Sequence, residues 1–283
     1  MPRPSAPPPG SPPPIPPVTT IDEVVAALHT IIDWSIGTPS RLGYFAALYK
    51  RITLAVGVAI DEGLFDDGPR MERFDALFAS RYLDAVNGHF HPGRFPKPTR
   101  SWRTTFAGAD HSEPIILQHM ISGINSHIVL DLGIAAVETT GGRKLPSLRR
   151  DFDTVNAVLA GQVNGVVADL NELSPALADI YAVLAEHQIF LLNEAIKAFR
   201  DSAWRFATVL ALEPGLLRRA TIAARDLQVA RQSALVFDPP GVIGVLDRAV
   251  LEVAERESRD VSRNIAVLDE VASSPSPITT TLS

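Results

Sequence analysis

Hydrophobic residues recur at helical intervals along nearly the whole chain. Thr20 and Glu23 have the spacing of a capping box, and Ile21, Val24, Val25, Leu28, Ile31 and Ile32 follow on one face, with a stop near Gly37 and Pro39. Ser40 is placed to cap a second helix that carries Leu42, Phe45, Leu48, Tyr49, Ile52 and Val56 and closes near Gly63. Pro69 opens a third, from Met71 to Val86, which Gly88 closes. From His89 to Arg103 the periodicity fails. Three prolines and a glycine predict a loop there, rich in histidines, cations and the aromatic residues Phe90, Phe95 and Trp102. Ser112 and Pro114 then open the most apolar stretch of the chain, a helix over about 112–138 closed by Gly141-Gly142. Further helices are predicted over about 148–170, from Ser174-Pro175 to about Leu212, onward to Val236, and from Val242 to about Val271.

No stretch alternates with the period of a strand, and no segment repeats at a fixed interval. Helix after helix with short connections predicts an all-α fold, a single-domain multi-helix bundle over about 18–272, built around the buried apolar helix at 112–138. Residues 1–17 hold ten prolines and form a disordered, polyproline-like arm; residues 273–283 read as a disordered tail.

Composition narrows the chemistry. At 283 residues the chain is long enough to bury a sizeable core, and 46% hydrophobic with 20% charged residues is ordinary for a soluble protein. A formal charge of −6 gives no electrostatic case for nucleic acid. Cysteine is absent, which excludes disulfides, thiolate metal sites and cysteine nucleophiles. No basic segment with an apolar run behind it marks a secretory signal. The run at 115–137 has the length of a membrane span, but His119, His127 and Asp131 would be expensive in lipid. No membrane span and a cytoplasmic location are therefore expected.

Those three residues are the sharpest signal in the chain, because a buried polar group costs free energy unless it finds a partner. At about 100° per residue, His119, Gly123, His127 and Asp131 fall on one slowly drifting stripe of a helix, and Asn125 falls on the far side. Gly123 in mid-helix suggests a close approach by another helix or a ligand. His127 and Asp131, one turn apart, suit two ligands of one divalent metal (zinc, iron or manganese) or a direct hydrogen bond. A metal would need a third ligand, for which His89, His91, Asp151, Asp153 and His187 are the candidates. Without metal, the pair reads either as an Asp131-oriented general base or as a structural tie between helices. Asp151 and Asn156 on the following helix could satisfy the stripe, and Arg200 and Trp204 have the spacing for cation–π stacking.

Five segments, ERFDALFASRYLDAV (72–86), SWRTTF (101–106), QHMISGINSHIVLDLGIA (118–135), DFDTVNAVL (151–159) and FRDSAW (199–204), together resemble an actinobacterial all-helical family catalogued as a domain of unknown function. GINSHIVLDL is the most specific part. The resemblance implies an all-helical fold, cytoplasmic placement and no defined activity. It also implies that His119, Gly123, Asn125, His127, Asp131, Asp151, Asn156 and Trp204 are site or core positions.

The chain has no P-loop, no dinucleotide fingerprint and no nucleophile elbow. Two functions are carried forward. The first is an enzyme of the hydrolase or lyase/cyclase type, acting on a largely apolar small molecule by acid–base or metal-assisted hydrolysis, elimination or cyclisation. His127, Asp131 and His119 would be its catalytic residues, with Gly123, Asn125, Asp151, Asn156, Trp102 and Trp204 around the substrate. The second is a non-catalytic helical module that binds a hydrophobic ligand or a protein partner, with the His/Asp stripe as a structural network.

Overall fold

Thr20 opens the first helix as its sequence prescribes: its hydroxyl accepts from the Glu23 amide while the Glu23 carboxylate reaches back, forming the capping box. The computed structural model describes residues 10–174, 188–238 and 251–276, and these form an all-α bundle with no strand among them. The helices are α1 (Ile21–Gly37), α2 (Leu42–Asp61), α3 (Gly68–Phe90), α4 (Arg100–Gly108), α5 (Ile116–Ile124), α6 (Leu132–Thr140), α7 (Arg149–Leu173), α8 (Gln188–Leu212), α9 (Gly215–Phe237) and α10 (Val261–Ala272). Residues 251–256 add a further helical stretch.

Antiparallel α1 and α2 pack along their lengths, α10 closes over them, α6 lies against α3 and α8, and α9 covers α4 and the central segment. One apolar cluster unites α1, α2, α3 and α4 around Leu28, Ile32, Phe45, Tyr82 and Trp102; the other unites α3, α6, α7 and α8 around Phe74, Leu132, Phe152 and Leu210. Glu257 ties the far end in: its carboxylate accepts from the Ile116 amide at 2.9 Å and from the Ser174 hydroxyl.

Four boundaries depart from the sequence pattern, each for a local reason. Ser40 does not cap α2, which starts at Leu42 from Arg41 without any side-chain cap. Helix α3 runs through Gly88 to Phe90, because the chain folds back over it there: a Cβ on Gly88 would sit 2.1 Å from the Pro96 carbonyl oxygen. The expected loop to Arg103 ends early, since Thr99 accepts from the Trp102 amide and caps α4. The last helix is broken at 257–260, where Asp260 caps α10 through the Arg263 amide. The predicted helix start at Ser174-Pro175 lies partly outside the described residues, as do 242–250 of the last helix; Ser174 itself has left helical geometry and ends α7.

The proline-rich arm is also tied down where it meets the bundle. Ile15 is buried, its amide donates to Asn87 at 2.8 Å, and its carbonyl accepts from the same side chain at 2.9 Å. At the other end Ser276 exchanges two hydrogen bonds with Gln162, at 2.8 and 2.9 Å.

The largest departure lies in the central helix. Residues Asn125–Asp131 form a π-helical stretch between α5 and α6, and the Leu132 amide donates to the His127 carbonyl five residues back. Such wide turns are rare and concentrate at functional sites. A step of about 100° per residue does not hold through one, so the single stripe expected from His119 to Asp131 is broken in its middle. Gly123 sits just before the wide turn, where a Cβ would meet ring carbons of Phe45 at 2.5 Å, so α2 is the element that approaches closely.

Candidate functional site

The wide turn delivers His127 and Asp131 into the most aromatic part of the interior. The His127 ring stacks flat on Phe78 of α3, with centroids 3.6 Å apart and 8° between planes, and meets the edge of Tyr49 of α2 at 4.6 Å. Phe45, Trp102 and Tyr82 complete the surroundings at 5.8–6.3 Å. Burial in this environment holds the imidazole below its ordinary pKa, against the pull of Asp131, so His127 is neutral. Neither of its ring nitrogens has a hydrogen-bond partner.

Asp131 is fully engaged. Arg81 of α3 donates its Nε to Oδ1 at 2.9 Å, and the Trp102 indole of α4 donates to Oδ2 at 2.7 Å. Burial by itself would raise the Asp131 pKa; the Arg81 guanidinium, helped by His127 and Trp102, more than offsets that and holds the carboxyl below the usual range. The carboxylate is therefore a fixed buried anion. Its Oδ2 lies 3.6 Å from His127 Nδ1, an approach too long to be a formed hydrogen bond.

His127 lies on the wall of a partly open apolar cavity of about 220 Å³ bordered by α2, α3, α5, the wide turn, α7 and α8. Its wall is aromatic and aliphatic, with Phe45, Phe78 and Ile128 as examples, and the polar exceptions are Tyr49, Asp75, His127, Gln162 and Arg200. Asp75 of α3 is 8% exposed, its Oδ2 has no partner, and burial pushes its pKa up to about 7. The Tyr49 hydroxyl forms no hydrogen bond of normal geometry, with Thr53 as its near polar neighbour; burial, then the neighbouring Asp75, raises its pKa.

Placed against this geometry, the sequence-derived residues separate. His127 reaches the cavity and Asp131 supports it. His119 does not join them. Its ring faces Tyr44 and Phe237 at 5.9 and 5.5 Å, and burial, with Arg41 nearby, takes its pKa down to about 4. Asn125 binds Val229 O and Ser233 Oγ and so ties the wide turn to α9. Asp151 accepts from the Asp66 amide and from Arg70, fixing the α2–α3 connection to α7. Asn156 accepts from Arg200, which lies over Phe152 at 4.4 Å rather than over Trp204; the cation facing Trp204 is Arg149, at 5.0 Å. None of Gly123, Asn125, Asp151, Asn156, Trp102 and Trp204 lines the large cavity. Trp102 contributes by holding Asp131.

The residues do not fit a metal at His127 and Asp131. Arg81 and Trp102 occupy both oxygens of Asp131, and among the described residues no group of three or more His, Asp or Glu side chains converges. The candidate third ligands lie elsewhere. His91 is buried next to Phe95, His89 packs on Phe106, and Asp153 pairs with Arg149. His187 lies outside the described residues.

Three participants are not singled out by the sequence pattern: Arg81, Tyr49 and Asp75. Asp75 was open to detection, since it stands within the apolar stripe Met71, Phe74, Phe78, Tyr82. Tyr49 and Arg81 carry no such mark, because a tyrosine on an apolar face and an arginine on a mixed one are ordinary.

The fold and the site thus define an all-helical protein with a buried histidine on the wall of an apolar cavity. The chain belongs to the Family of unknown function (DUF5995), whose family model matches residues 21–239. That span includes every residue of the His127 site. No curated protein and no solved structure matches the chain.

Proposed function

We propose that this protein is a cytoplasmic enzyme of the lyase or cyclase type that holds a small, largely apolar molecule in the 220 Å³ cavity and moves a proton on it through His127. The observation that carries the reading is a neutral imidazole, unpartnered at both nitrogens, on the wall of an apolar cavity and beside a carboxylate kept charged. In this reading Nδ1 carries the proton and faces Asp131, leaving Nε2 to accept one from the substrate. The imidazolium that forms is stabilised by the carboxylate anion 3.6 Å away, then returns the proton. An almost wholly apolar wall holds water poorly at the reacting centre, which favours elimination or cyclisation over hydrolysis. Helix α2 and the α5–α6 segment are long and apolar enough to cross a membrane, but most of each is buried by other helices, which supports reading them as core elements.

A second reading, the non-catalytic binding module, draws support from one distance. At 3.6 Å the His127–Asp131 contact is not a formed hydrogen bond, and Asp131 is satisfied without it. The two readings separate on incubation with an extract of apolar metabolites in deuterated buffer, followed by mass spectrometry. The enzyme reading expects at least one species to be converted or to gain deuterium, at a rate that falls about 10²–10⁴-fold in His127→Gln. An apolar species that co-purifies with both forms and is altered by neither would replace the enzyme with the module.

A further inference from the structure

The five polar side chains on the cavity wall fall into two groups. Gln162 and Arg200 are spoken for: Gln162 accepts from Arg51 and bonds the Ser276 backbone, and Arg200 donates to Asn156 and to the Phe152 carbonyl. Tyr49, Asp75 and His127 are 4%, 8% and 2% exposed, yet the Tyr49 hydroxyl, Asp75 Oδ2 and both His127 nitrogens form no hydrogen bond of normal geometry; Thr53 stands near the Tyr49 hydroxyl, and the Asp131 carboxylate lies 3.6 Å from His127 Nδ1. Each such orphan costs about 1–3 kcal/mol of unrecovered desolvation, so three on one wall call for a common explanation. They also sit together. Tyr49 touches His127 edge to face, and Asp75 is the first charge to act on the Tyr49 hydroxyl.

We propose that Tyr49, Asp75 and His127 form a head-group subsite, and that the cavity's ligand is a neutral apolar molecule of about ten carbons bearing one hydroxyl or carbonyl. The assignment rests on the reading of the cavity as a binding site. Size follows from volume: an engineered cavity of about 150 Å³ accepts benzene, and this one is larger at about 220 Å³. The hydrogen-bonding pattern sets the head group. A phenol and an imidazole both donate, the imidazole and the carboxyl both accept, and a ligand hydroxyl can answer either kind while a carbonyl answers the donors. A charged head group is disfavoured because the wall is almost wholly apolar and would strip its hydration, while Asp75 and Arg200 act on any charge with opposite signs. Everything else on the wall asks only for hydrocarbon.

The test holds the carbon skeleton fixed and varies the head group. Menthol, p-menthane and menthylamine are each equilibrated with the full chain by dialysis and the free fraction measured by gas chromatography. Menthol is expected to bind about tenfold more tightly than p-menthane. Tyr49→Phe and Asp75→Leu should each bring menthol toward p-menthane and leave p-menthane unchanged, while Ile128→Trp, which fills the cavity, abolishes both. Equal binding of menthol and p-menthane, or a preference for menthylamine, overturns the head-group assignment and leaves the cavity reading standing. Failure of all three probes to bind, with Ile128→Trp without effect on stability, overturns both.

Discussion

Replacing Arg81 with leucine is expected to destabilise the fold by about 3–5 kcal/mol, because the Asp131 carboxylate then remains buried without its counter-charge. Asp131 is 1% exposed and cannot turn to water, and the Trp102 indole supplies a single neutral donor. The loss should appear as a lower denaturant midpoint with an unchanged slope, and as a drop of roughly 10 °C in the thermal midpoint. A double replacement, Arg81→Leu with Asp131→Leu, should recover much of it, since neither charge is then left alone. If Arg81→Leu costs less than about 1 kcal/mol, the pair is a surface contact in energetic terms and Asp131 is not a fixed anion.

Asp75→Asn should change stability by an amount that depends on pH. Burial raises the Asp75 pKa from 3.8 to about 7, so between those values the folded state holds a proton that the unfolded state has released. The stability this contributes is complete below pH 4 and is lost as pH rises to 7. Asparagine cannot ionise, so relative to the parent the variant should gain about 1.4 kcal/mol per pH unit across that window, reaching on the order of 4 kcal/mol by pH 8. The comparison must be made against the parent at each pH. His119, with its pKa taken down to about 4, titrates with the opposite sign between pH 4 and 6.5 and partly hides the slope in either curve alone. His127 is held low in the same direction, and Tyr49, the nearest group on α2, stays neutral throughout. A difference between variant and parent that is flat from pH 4 to 8 would show that Asp75 is not ionising within the fold.

Most of the architecture was legible because its cues are local. Thr20 with Glu23, Pro69 after Asp67, Gly141-Gly142 and Pro214-Gly215 are chemical punctuation, and the helices begin and end beside them. Periodicity likewise identified the central segment as buried. What the pattern concealed is non-local. Nothing in NSHIVLD announces hydrogen bonds that skip five residues, and a step of 3.6 residues per turn puts His119 on the flank of His127, whereas its ring faces Tyr44 and Phe237 and meets only the far side of Phe45, Tyr82 and Trp102. Helix α4 is hidden in the sequence because the prolines just before it and its own arginines resemble loop composition, although Thr99 is a good cap. For the site, His127 and Asp131 stood out as polar groups in an apolar run. Arg81, Tyr49 and Asp75 belong with them only through the packing of α2 and α3 against the wide turn, which no spacing along the chain encodes.

Crystals of the protein pressurised with xenon test the central claim most directly, since xenon enters dry apolar cavities without needing the true ligand. The account predicts a xenon site within van der Waals reach of the stacked Phe78 and His127 rings, between Phe45 and Ile128, with the Asp131–Arg81–Trp102 contacts undisturbed. Contrary coordinates would show side chains from α7 packed directly onto His127, no xenon between them, and the imidazole bonded to a protein group.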